Sequence, residues 1–119
     1  MPVTPEKPDY VAMYEVATGR ECWRRKRLGS SWWTGKTVED LRSVPGLESA
    51  QWRADVMDGL LAKGYVIRFW LDPVDGDCRA EICTYDSEKP FGEILSMEFA
   101  PTLNSALCAA VKAWKEAKK

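Results

Sequence analysis

The sequence predicts an α+β domain in which two or three helices pack on one face of a small antiparallel sheet of three or four strands. Three observations carry that expectation. Residues 48–64 and 100–119 repeat apolar side chains at helical spacing. Between them, "YVIRFWL", "CRAEICTY" and "GEILSMEF" have the length and turn-bounded spacing of strands, and "DPVDGD" and "DSEKPF" suit hairpins rather than crossover helices. At 119 residues, 45% hydrophobic and 29% charged, the chain has the composition of an ordered domain with one core.

In chain order, Met1–Pro8 carries three prolines and reads as a loose leader, with residues 9–119 as the single domain. "DYVAMYEVATG" offers Asp9 as N-cap, Tyr10, Met13, Tyr14 and Ala17 as a helical stripe, and Gly19 as the stop. "ECWRRKRL" is strongly basic and reads as a solvent-facing edge strand. The second helix, "ESAQWRADVMDGLLAKG", places Trp52, Val56, Met57, Leu60 and Leu61 on one stripe, with Ser49 as cap and Gly64 as stop. In the meander that follows, Tyr65, Ile67, Phe69 and Leu71 share one face, as do Cys78, Ala80 and Ile82. Leu95, Met97 and Phe99 are expected to complete that side of the core. The last helix begins near Pro101 and Thr102 and covers the sheet with Leu103, Leu107, Ala110, Val111 and Trp114, its lysines lying on a solvated face near the C-terminal end.

Composition also narrows the chemistry. The chain has four cysteines and no histidine, so the commonest general base is absent and catalysis would rest on carboxylates, lysine or tyrosine. Cys22, Cys78, Cys83 and Cys108 lack the short paired spacing of a zinc site and read as reduced, buried thiols. Asp72, Asp75 and Asp77 read as parts of a polar turn before they read as catalytic groups. No catalytic residue, metal or cofactor is expected. The longest apolar runs are too short to span a bilayer and "MPVTPEKP" has no signal-peptide core, so no membrane partner and a cytoplasmic location are expected.

"LGSSWWTGKT" invites comparison with a phosphate-binding loop, whose pattern is G-x-x-x-x-G-K-[ST]. Here five residues separate Gly29 from Gly35, Ser30 stands where glycine is needed, and "CWRRKRL" precedes the loop in place of an apolar strand. The expectation is a turn at Gly35 followed by a helical start capped by Thr37, with Asp40 near its third position. The wider stretch is unusual in its charge. Residues 20–36 hold six basic residues against one acid, a net of +5, which leaves −6 for the rest of a chain whose total is −1. Trp23, Arg24, Arg25, Arg27, Trp32, Trp33 and Lys36 are therefore the candidate partner-binding residues, since tryptophan and arginine dominate interface hot spots. The same residues would serve single-stranded nucleic acid or a nucleotide, by stacking and phosphate contact.

From "SAQWRADVMDGLLAKGY" through the strands to "FAPTLNSALCAAVKAWKE", about residues 48–117, the chain resembles the small phage and prophage proteins of the ABA-sandwich type. That resemblance implies a phage accessory gene and carries over no site. With the electrical two-sidedness it gives the functional expectation of a non-enzymatic protein, monomer or homodimer, that binds and inhibits a host protein, as an anti-CRISPR-like inhibitor does. The host cytoplasm is then its location. The alternative is a single-stranded nucleic acid or nucleotide-binding module.

Overall fold

The computed structural model describes residues 7–24, 31–85, 88 and 92–117. Its first helix, α1 (Asp9–Thr18), is capped by Pro8, so Asp9 is the first helical residue and not the cap. No side chain caps this end; the Asp9 carboxylate instead accepts a 3.2 Å bond from Lys112 Nζ. Helix α2 (Ala50–Ala62) starts as expected, with the Ser49 side chain accepting from Gln51 N–H. Contacts Tyr10–Trp52, Tyr14–Asp55 and Ala17–Gly59 advance together along both helices, so α1 and α2 run parallel. Val11, Tyr14, Ala17, Trp52, Val56 and Leu60 are fully buried in that region, whereas Leu61 faces solvent.

Strands β4 (Tyr65–Leu71), β5 (Cys78–Thr84) and β6 (Ile94–Ala100) form the expected antiparallel meander, in the order β4-β5-β6. Between β4 and β5 the Asp72 carboxylate accepts from the N–H groups of Val74 and Asp75, a turn held by its own aspartate. Those bonds also draw its pKa down. Helix α3 (Leu103–Ala117) lies across β5 and β6, and Ser96 Oγ donates 2.6 Å to the carbonyl of Ala110. Thr102 Oγ1 accepts from Ser105 N–H at the start of this helix.

One face of this sheet is not as the alternation predicts. A register shift beside Ile82 and Cys83 inserts Leu95 into the ladder. Opposite Ile82, Ala80 and Cys78 stand Ser96, Glu98 and Ala100, so these turn toward the helices. Leu95 still packs on the core, but Met97 and Phe99 point outward and are exposed. The single-residue bulge reverses the phase of the strand, which a strict period of two misses.

A second, smaller sheet precedes α2: β1 (Cys22–Trp23), β2 (Trp33–Thr34) and β3 (Arg42–Ser43), antiparallel in that order. The sequence suggested only its first strand, over "ECWRRKRL", of which residues 25–28 lie outside the described residues.

Cys22, Cys78, Cys83 and Cys108 are free and buried. Burial pushes the Cys22 and Cys108 thiols up to about 11. Native protein at pH 8 is therefore expected to resist iodoacetamide, with all four thiols alkylated only after denaturation, as intact-mass spectrometry would show. Rapid modification of a thiol in folded protein would contradict that burial.

Candidate functional site

The basic stretch is held by α1 and the small sheet. The Glu15 carboxylate, paired with Lys7 Nζ at 2.9 Å, accepts from Cys22 N–H at 2.7 Å and pins the start of β1 to the helix. Thr34, fully buried, donates its hydroxyl proton to the Glu21 carbonyl, and Trp32 O accepts from Val44 N–H. The ladder sets Trp23 opposite Trp33, and Trp33 opposite Ser43.

These anchors leave a cleft of about 510 Å³. Arg20, Glu21, Trp23, Gly35, Lys36 and Asp40 are among the residues that line it. Arg20 reaches Asp40 through both terminal nitrogens, at 3.1–3.2 Å, and Trp23 Nε1 donates to Gly35 O at 3.4 Å. Two cations and two acids thus share the cleft, but Arg20 and Asp40 engage each other. Lys36 is exposed and makes no ion pair among the described residues.

The predicted contact residues separate by depth. Trp23 and Lys36 line the cleft; Trp33 does not, being half-buried opposite Trp23 on the ladder with its Nε1 buried. Trp32 is only 8% exposed and belongs to the core, with the Arg24 guanidinium 5.5 Å from its ring centroid. It supports the surface from beneath and offers no face of its own. Arg25 and Arg27 lie outside the described residues. Arg20, Glu21 and Asp40 join the cleft although the sequence did not place them among the contact residues; twenty positions separate Arg20 from Asp40, and the return toward β3 brings them together.

Gly35 now has a physical explanation. Its φ is +113°, and a Cβ there would sit 2.4 Å from the carbonyl oxygen of Asp40. Glycine is required because the loop folds back on itself, which accounts for it without a phosphate-binding role. The helical start expected after Gly35 is instead one turn, in which Asp40 N–H donates to both the carbonyl and the hydroxyl of Thr37, and β3 follows. A phosphate loop needs a helix N-terminus at this place.

Among the described residues no three His, Cys, Asp or Glu side chains gather as a metal ion would require, and no helix is long and apolar enough to cross a membrane. Compared with known proteins, the chain matches no family model, no curated protein and no solved structure.

Proposed function

We propose that this chain is a non-enzymatic binding protein that docks the Trp23–Lys36 cleft on an acidic surface of a protein partner and blocks it. The observation that carries the reading is that Trp23 and Lys36 line one cleft, with Trp33 paired to Trp23 on the neighbouring strand, on the +5 segment of a chain otherwise at −6. A tryptophan beside an ammonium that makes no ion pair among the described residues is the composition of an interface hot spot. Such separated charge also speeds encounter with an acidic partner in a salt-dependent way. Taken together with the resemblance to phage accessory proteins, the reading takes a host protein, such as a nucleic-acid-handling defence complex, as the partner and anti-CRISPR-like inhibition as the role.

Capture from a bacterial lysate by the wild type, by Trp23→Ala and by Lys36→Glu tests this. A specific protein is expected on the wild type, with affinity for it at least tenfold weaker in each variant. Tryptophan fluorescence titrated with oligonucleotide across a salt series distinguishes the nucleic-acid alternative, which Trp23 and Trp33 would serve by stacking. Salt-sensitive quenching without a captured protein would replace the first reading by the second.

A further inference from the structure

The outward side of the β4-β5-β6 sheet carries side chains in three cross-strand rows: Val66, Cys83 and Ile94; Arg68, Glu81 and Met97; Trp70, Arg79 and Phe99. None of these nine joins the core cluster, and the helices pack on the opposite side. At the centre Glu81 is nevertheless 1% exposed. Its carboxylate accepts from Arg68 Nε at 2.9 Å, Arg68 Nη2 at 3.1 Å and Trp70 Nε1 at 2.5 Å, and Arg79 Nη2 lies 3.7 Å away. Both guanidiniums also stand over the Trp70 ring, at 5.4 and 5.0 Å. The bonds from Arg68 hold the Glu81 pKa below the usual carboxylate range. A charge cluster whose carboxylate is already buried, though its two guanidiniums remain partly exposed, is thus set among four large exposed apolar side chains: Trp70 at 48%, Ile94 at 47%, Met97 at 44% and Phe99 at 58%.

We propose that this face is a homodimer interface in which a second copy packs sheet on sheet, related by a twofold axis along β5. The face is self-complementary about that axis. Rotation lays β4 of one copy over β6 of its partner without exchanging rows, so Trp70 meets Phe99 twice, Val66 meets Ile94 twice, and the Arg68 stem meets Met97 twice. Aromatic packs on aromatic and aliphatic on aliphatic. Along the axis Glu81 faces its own counterpart, each carboxylate already held by Arg68 and Trp70. Arg79 Nε, a buried donor without a hydrogen-bond partner, lies one row from the facing Glu81.

The area places the interface at the small end of specific ones. The four exposed apolar residues leave on the order of 400 Å² on each copy. With the arginine stems, about 1,000 Å² would be buried in total, at the threshold of specific interfaces. The dimer is therefore weak, with a Kd on the order of 10–100 μM. This surface is distinct from the Trp23–Lys36 cleft and does not depend on the function proposed for it.

Sedimentation equilibrium from about 1 μM to about 500 μM tests the proposal, the range bracketing that Kd. The wild type is expected to double in mass across it. Phe99→Glu, whose carboxylate would face Arg79 across the ladder and keep the fold, is expected to weaken association at least tenfold, and Ile94→Glu at the other end likewise. Val74→Glu, at the exposed hairpin tip, should leave it unchanged. Circular dichroism confirms that each variant is folded. A wild type that stays monomeric throughout overturns the proposal, as does a dimer that persists in folded Phe99→Glu and Ile94→Glu, or one that Val74→Glu disrupts equally.

Discussion

Gly59→Val is expected to destabilise the protein by about 3 kcal/mol, with Gly59→Ala costing about 1–2 kcal/mol, in thermal or urea unfolding. Glycine inside a helix is normally a liability, and alanine would improve helix propensity by about 1 kcal/mol. Gly59 lies in the interior of α2, where a Cβ would come within 2.3 Å of the carbonyl oxygen of Ala17 and 3.0 Å of the Thr18 Cα. Both neighbours are backbone, so neither can step aside as a side-chain end does. The two helices must separate, and a branched side chain forces them further than a methyl group. Separation would loosen Ala17 and the end of α1, which leads through Arg20 into the cleft. If alanine instead stabilises the protein, the close approach of α1 and α2 is wrong.

What the sequence disclosed and what it concealed divide along physical lines. Helix α2 and the three long strands were legible because periodicity, a Ser49 cap and turn residues all agree. Phase on β6 was not, because one inserted residue at Leu95 turns Met97 and Phe99 from core to surface with no mark in the alternation. The outward face was hidden for the same reason. The two-residue strands β2 and β3 carry no period at all, so Trp32, Trp33 and Thr34 read as loop although Thr34 and Trp32 are buried. Within the candidate site, the basic and aromatic residues were visible as composition. Their depth was not: adjacent tryptophans 32 and 33 point to different surroundings, and whether an indole is a contact or a foundation depends on segments further along the chain, such as Val44, whose N–H bonds the Trp32 carbonyl. Gly35 shows the reverse case, a motif-like glycine explained by a local fold-back that pattern matching cannot see.

Trp52→Ala is expected to be the most damaging single truncation, at about 3–5 kcal/mol, which is a large part of the 5–15 kcal/mol that holds a domain together. Trp52 is fully buried and is the largest such side chain, and its Nε1 donates 2.9 Å to the Tyr10 carbonyl on α1. Truncation removes the packing, opens a cavity and takes the indole donor from that carbonyl, which keeps only its bond within α1. Trp52→Phe keeps most of the volume and loses only the hydrogen bond, so it should cost about 1–2 kcal/mol. The difference between the two variants separates packing from polar contribution. Trp52 and Gly59 both act on the packing of α1 against α2, seven residues apart on the same helix. Once the indole is gone, α1 is free to shift, and the Cβ at position 59 meets less resistance. The double variant Trp52→Ala/Gly59→Val is therefore expected to fall short of the sum of its parts by about 1 kcal/mol or more. Strict additivity would mean that the helices are held in place by something other than each other.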